Sequence, residues 1–439
     1  MESRIVFSLL TVLWIALPAA AQGNLTSFSD RSGDRVLYIA SSDQHIHQFW
    51  LNGTQPVDTD ATHEYSSWGS KMAEFGSLAS FSDGDGQHNF YIGTDNHVHQ
   101  IRWSWSTNSG SDLDWTKLTG APLANGPHLT GFSNARGQHV FYLSFTSGSA
   151  VMHIHHLYAV GAGRPIDEDL TFNANPGGAC LVEGAIPMTS YSDGSTELVY
   201  YVGQSGHICE LAWYNGAEGW WDLTLMSGST PAFSATPANG YMDSPLTGFA
   251  DANGQNEFYL DANQHIRQLR LSPTGVWSNP DLTLQFGGMP ATFNSLTAYT
   301  RNYRVRTGSY QCGTLGSPRT CYIYTSKEYV FVSYVDTTNL VHVIEIGPTF
   351  GSDQVLNGQL AAPWGYGCLG TSLATITVDA GGNADVYYIG MGFSGDIFKA
   401  STLAPLVPGG FGGFGSPADQ TPIYGGVSAG QSQGACLIG

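Results

Sequence analysis

One short phrase, repeated along the chain, constrains this sequence more than any other feature. Leu or Met, then two mostly small residues, then usually an aromatic recur at Leu25–Phe28, Leu78–Phe81, Leu129–Phe132, Met188–Tyr191, Leu246–Phe249, Leu296–Tyr299 and Leu373–Ile376. Most copies lead through a polar Gly/Asp/Asn turn into a β-branched and aromatic run. Those runs are Val36–Ile39, Phe90–Ile92, Val140–Tyr142, Val199–Val202, Phe258–Leu260, Tyr329–Val332 and Val386–Ile389. A third run follows at His45–Trp50, His97–Trp103, His153–Tyr158, His207–Trp213 and His265–Leu269, with weaker copies at Leu340–Ile344 and Asp396–Lys399. Several repeats close on a fourth element: Asp114–Thr119, Asp169–Thr171, Trp221–Thr224 and Trp277–Thr283.

Four short strands in a unit of about 50 to 60 residues describe a propeller blade. A blade cannot bury both faces alone, whereas a ring of blades seals each face against a neighbour. Two β-sandwiches would not require one phrase to recur. The expectation is an all-β chain, a seven-bladed β-propeller of four-stranded antiparallel blades.

Composition agrees. Charged residues and aromatics are each 12 % of the chain and glycine numbers 55, as in a turn-rich β protein. Lys and Arg total 16 against 35 Asp and Glu, a net charge of −19, which disfavours nucleic acid and anionic membrane surfaces as partners. Arg4, the apolar run Ile5–Leu17 and the small residues Ala19, Ala20 and Ala21 read as an export signal cleaved after Ala21. The domain reading is thus a signal peptide at 1–21, a propeller at 22–404 and a Gly-rich tail at 405–439. Within the tail, Thr421–Val427 is a candidate fourth strand for the last blade. No later stretch is apolar for long enough to insert in a membrane.

Six cysteines in an exported chain suggest disulfides, and Cys312 with Cys321, flanking a turn-like segment, is the pair the spacing favours. That pair lies in an insertion between Tyr299 and Tyr329 that also carries Arg301, Arg304, Arg306, Arg319 and Lys327. It reads as a stapled, locally positive surface loop.

The third run invites chemical readings. His45/His47, His97/His99 and His153/His155 place two imidazoles on one face of a strand, an arrangement that could bind zinc. No carboxylate or thiol recurs in register to complete a shell, so no metal or other cofactor is expected, and a once-per-blade His reads as a hydrogen-bonding anchor of the blade seams. No unique carboxylate pair, GxSxG elbow or phosphate loop stands out, so the chain is not read as an enzyme. What repeats is a polar group beside a large aromatic: Gln48 and Trp50, Gln100 and Trp103, Glu210 and Trp213. Trp115, Trp221 and Trp277 add an aromatic per blade near the rim. A ring stacks on the C–H face of a sugar while amides, carboxylates and guanidinium groups take its hydroxyls.

These phrases resemble the fucose-binding propeller lectins of bacteria and fungi, over nearly all of residues 25–400 and most strongly in repeats 1, 2, 4 and 5. The resemblance implies sugar pockets between adjacent blades. In the fungal, Aleuria-type members it implies an Arg on the second strand, a Glu or Gln on the third, and an aromatic from the next blade. Carried onto this chain, repeat 1 offers Arg35 and Gln48, and repeat 4 offers Glu210 with Leu198 at the Arg position. Repeats 2, 3 and 5 offer His88 with Gln100, His139 with His156, and Asn256 with Gln268; repeats 6 and 7 lack the pattern. The expected function is that of a secreted, multivalent carbohydrate-binding propeller with two to five pockets and glycans as partners. A protein-binding scaffold and a polysaccharide hydrolase or lyase are the alternatives.

Overall fold

A computed structural model describes residues 25–40, 43–51, 57–65, 73–145, 152–161, 163–174, 176–182, 186–214, 217–232, 245–312, 319–338, 340–347, 351–355, 373–378, 383–389, 397–401 and 418–419. The expected signal peptide, Cys368 and Cys436 lie outside these residues.

Consecutive strands pair antiparallel, four at a time. Blade 1 is Leu25–Asp30, Gly33–Ile39, Ile46–Leu51 and Val57–Asp60. Blade 2 is Ala73–Ser82, Gly86–Gly93, Val98–Ser104 and Ser109–Asp114. Blade 3 is Ala124–Asn134, Gly137–Phe145, Met152–Ala159 and Ile166–Asp169. Blade 4 is Met188–Ser192, Glu197–Val202, Ile208–Tyr214 and Ala217–Asp222. Blade 5 is Leu246–Asp251, Gly254–Leu260, Ile266–Leu271 and Trp277–Ser278. Blade 6 is Ala291–Cys312, Arg319–Asp336, Val341–Ile346 and Gly351–Val355.

Successive blades are glued by the β-branched and aromatic run of the second strand, which is buried on both faces. In blade 1, Leu37 and Ile39 meet Leu78, Tyr91 and Ile101 of blade 2. On the opposite face of blade 2, Phe90 and Ile92 meet Val140 and Tyr142 of blade 3. The alternation continues through Phe141 and Leu143 against Val199 and Tyr201, Leu198 and Tyr200 against Tyr259, and Phe258 and Leu260 against Val332 and Tyr334. Each fully buried aromatic contributes about 2 to 3 kcal/mol. One tyrosine per blade, at Tyr38, Tyr91, Tyr142, Tyr201, Tyr259 and Tyr334, is completely enclosed at the same register position. Tight turns join the first and second strands. At Gly137 and Gly254, with φ of +145° and +121°, a Cβ would lie 2.0 and 1.9 Å from the carbonyl oxygens of Ala159 and Leu271.

The expectation of seven blades is corrected to six. Six blades carry the enclosed tyrosine and pack face to face through described side chains. The strands of the last repeat, Leu373–Val378, Asn383–Ile389, Ile397–Ser401 and Ala418–Asp419, pair as a further sheet given by its backbone alone, and it is not counted as a packed blade. Its fourth strand precedes Thr421–Val427, which lies outside the described residues.

The insertion in repeat 6 also departs from the expected loop. Its two sides pair continuously from Leu296↔Tyr334 to Cys312↔Arg319, extending the first two strands of blade 6 into a long hairpin. Residues such as Val305, Tyr310, Tyr322 and Ile323 have strand propensity that a loop would not need. Cys312 and Cys321 are joined across its end, and a second disulfide joins Cys180 to Cys209 in blade 4. The side chains of Arg301, Arg304, Arg306 and Arg319 lie outside the description.

Candidate functional site: the blade seams

In four blades the predicted pair of polar residues, and in blade 4 Glu210 with Leu198, lies on the second and third strands, on one face, and that face meets the following blade. The register makes Gln48 opposite Leu37, Gln100 opposite Phe90, His156 opposite Phe141, Glu210 opposite Tyr200 and Gln268 opposite Phe258. What differs from seam to seam is how the neighbour answers.

In the seam between blades 1 and 2, the Arg35 guanidinium lies 4.5 Å above the Trp50 ring and donates to Ser32 Oγ at 2.8 Å. Its Nε is 3.5 Å from Asp30. Gln87 of blade 2 reaches back to donate to Asp30 at 2.6 Å. Gln48 is completely buried, and neither atom of its amide has a hydrogen-bond partner; Ser80 Oγ and Asn89 Oδ1 of blade 2 are in the same condition. Asn89 shares the face of Gln87 and Tyr91, as does Trp103, which pairs with Gln87. An Arg, a Gln and a Trp from the next blade thus converge on one seam. A buried amide left unbonded costs on the order of 1 to 3 kcal/mol, so such a group is poised for a polar ligand or water.

The seam between blades 2 and 3 is closed by its own side chains. Gln100 Nε2 lies 3.0 Å from His88 Nδ1 and donates to Gln138 Oε1 at 2.8 Å, while its Oε1 accepts from Trp115 Nε1 at 3.1 Å. His88 Nε2 is 2.9 Å from Asp83. Burial works against a charged Asp83, yet His88 and two backbone amides hold its pKa down to about 2. Trp115, expected near the rim, is instead enclosed, its ring edge-on to Phe90 at 4.8 Å.

Between blades 3 and 4, His139 Nδ1 and His156 Nε2 are 3.0 Å apart under the indole of Trp213, which lies 5.6 Å from the His156 ring and 5.4 Å from Tyr158. Burial, aided by Arg136, lowers His139 to about 4, and burial carries His156 well below the usual imidazole range. Arg136 and Asn134 cross the seam to Glu197, each at 2.9 Å.

The seam between blades 4 and 5 holds acids. Glu210 faces Glu257 of blade 5 among Tyr191 and Tyr200, and Gly248 leaves room for the Glu257 carboxyl, which its Cβ would meet at 2.1 Å. Burial pushes Glu210 up to about 7 and Glu257 well above the carboxylate range, Glu210 adding to the latter. In the last such seam Gln268 donates to Asn256 at 2.9 Å. Trp277 packs on the blade 4–5 cluster, and Trp221 is 41 % exposed.

Two expected pairings fail. Gln100 and Trp103, and Glu210 and Trp213, are three residues apart on a strand and therefore point to opposite seams. Each Trp serves the preceding blade. The reading also missed Gln87, Gln138 and Gln255, which pin successive blades at Asp30, Asp83 and Asp193. A repeated Gly-Gln after the first turn was the available signal.

The first His of each third run anchors its own blade, not the seam. His45, His97, His153, His207 and His265 lie 2.6 to 2.9 Å from Asp60, Asp114, Asp169, Asp222 and Asp281. The same aspartates cap five-residue helices, as Asp114 does by accepting from Lys117 N at 2.8 Å. The phrase expected to be a fourth strand is therefore a strand end followed by a capped helix turn.

No protein-family model and no curated protein matches this chain. Solved structures do resemble it. The Aleuria aurantia lectin in complex with Fucalpha1-6GlcNAc is 10 % identical, with 95 % of this chain and 100 % of that one covered at a TM-score of 0.46. AofleA from Arthrobotrys oligospora is 14 % identical over 82 % of this chain and 94 % of that one, with a TM-score of 0.44. A further structure of the Aleuria lectin, described as a six-bladed β-propeller, is 12 % identical over 82 % and 96 %, with a TM-score of 0.40. The likeness is one of fold.

Proposed function

We propose that this chain is a non-catalytic, lectin-like protein that binds carbohydrate in the seams of its propeller. Fucose-bearing glycans are the class to test first, since the solved structures of similar fold include a lectin in complex with a fucosyl sugar. The observation that carries the reading is the seam between blades 1 and 2, which Arg35, Trp50 and Trp103 face together with the unbonded amide of Gln48. Guanidinium and amide match sugar hydroxyls, and the indoles match the apolar ring face. The Glu210 seam and the Trp213 seam are further candidates. Several weak sites on one rigid ring would raise attachment to a glycan-coated surface by about 10²-fold or more. We read the export signal and the two disulfides as those of a secreted protein.

A glycan array with residues 22–439 tests this. Binding to a defined sugar that falls at least tenfold in Arg35→Ala, with unchanged circular dichroism, supports the reading. Silence across the array favours a protein-binding scaffold, and release of reducing ends from polysaccharide would make the chain a hydrolase.

A further inference from the structure

The absence of a carboxylate in register argued, from the sequence, against metal at the paired histidines. The folded chain supplies one. In blade 2 the turn before the third strand brings Asp95 back beside the strand, so that Asp95, His97 and His99 each offer a ligand atom and all three lie within 4.8 Å of one another.

The geometry points to a divalent transition-metal site of the zinc type at Asp95, His97 and His99, completed by water. Three features of the chain fit that ion. Asp95 Oδ1 and His99 Nε2 are 3.2 Å apart, and two ligands of a tetrahedral zinc ion stand about 3.3 Å from each other. His97 Nδ1 is 2.7 Å from Asp114 Oδ2, which fixes the ring and leaves Nε2 for the metal, the carboxylate–histidine arrangement that orients metal ligands. The side chains of Asp95 and His97 keep 28 % and 26 % exposure, so an ion has a path from water, while His99 is held against Tyr91 with ring centroids 5.2 Å apart.

Blade 5 shows that this place accommodates a cation. There Arg267 stands where His99 does, and Asp261, at the position of Gly93, and Asp281, at that of Asp114, group with His265. Its guanidinium lies 2.8 Å from Asp261 and 3.3 Å from Asp281, a built-in positive charge between the two carboxylates. Blade 1 repeats the acid and imidazole arrangement with a looser contact, His47 Nε2 to Asp43 at 3.4 Å.

The test is calorimetric titration of ZnCl₂ into the metal-stripped chain at pH 7.5, with bound zinc counted after gel filtration. Asp95→Asn retains the turn's hydrogen-bond acceptor for His97 N, and His97→Ala removes a ligand without touching the buried His99. Saturable uptake that loses one equivalent, or at least tenfold in affinity, in both variants is the expected result. His265→Ala is the control, because Arg267 already fills its site, and its uptake is expected to match the parent chain. No saturable uptake by the parent chain, or equal losses in all three variants, overturns the assignment.

Discussion

Two neighbouring seams use the same positions to opposite ends. Between blades 2 and 3, His88, Gln100, Gln138, Asp83 and Trp115 bond to one another, and both amide atoms of Gln100 are paired. Between blades 1 and 2, the equivalent Gln48 is equally buried, yet its amide has no hydrogen-bond partner. The difference comes from both blades: Gln100 is met by His88 and Trp115 of its own blade, where blade 1 has Arg35, turned to Ser32, and Ala61. Gln138 of blade 3 bonds both Asp83 and Gln100, whereas Gln87 of blade 2 bonds Asp30 and does not reach Gln48. A polar residue facing a seam is thus a ligand candidate only where its neighbour leaves it unanswered.

The strongest way to break this contrast is Gln100→Leu. It would strand the Trp115 N–H and the Gln138 carbonyl, and a loss of about 4 kcal/mol in denaturant unfolding is expected. A loss under about 1 kcal/mol would show that the network contributes little.

The acid seam sharpens the comparison through pH. Burial raises Glu210 from an ordinary 4.5 to about 7, so its contribution is fully present below 4.5 and is lost as pH rises through 7. The effect is on the order of 3 kcal/mol. Glu257, raised further, acts with the same sign. Asp83 acts oppositely: lowered from 3.8 to about 2, it favours folding above 3.8 and loses that effect as pH falls through 2. His139, lowered to about 4, and His156, lowered well below the imidazole range, favour folding above 6.5 and lose that effect as pH falls, which offsets the two acids between 4.5 and 6.5. Thermal midpoints are therefore expected to be highest near about pH 6, and Glu210→Gln is expected to flatten the fall toward pH 8. A profile identical to the parent's would contradict the assignment.

Much of this fold was legible because it repeats. The Leu-Thr-x-aromatic phrase and the runs after it mark first and second strands in six packed blades, and a leading His marks the third in blades 1 to 5. The fourth was misread because Asp-Leu-Thr carries the apolar and β-branched residues of a strand, while its Asp caps a helix. Parity along the strand carries the face of each residue, and grouping Gln100 with Trp103 and Glu210 with Trp213 from the sequence passed over it. Partners across a seam do not follow from parity, because Gln138 and Gln100 are far apart in sequence and meet only when blades stack. Arg35 and Gln48 were found as a pair; that the Gln48 amide is unbonded while that of Gln100 is paired needed the folded seams.

A smaller effect is expected at the caps. Asp222→Ala removes both the His207 contact and the helix cap at Leu225 N, and should cost on the order of 1 to 2 kcal/mol. Unfolding in urea measures it, and an unchanged midpoint would show the clasp to be dispensable.

The central claim is tested most directly by measuring glycan affinity and unfolding free energy together for Gln48→Leu and Gln100→Leu. Gln48→Leu is expected to leave stability unchanged or raise it by up to about 2 kcal/mol, while binding weakens at least tenfold. Gln100→Leu is expected to do the reverse, with stability lost and the affinity of the folded chain within twofold of the parent. Undiminished binding in Gln48→Leu would contradict the account.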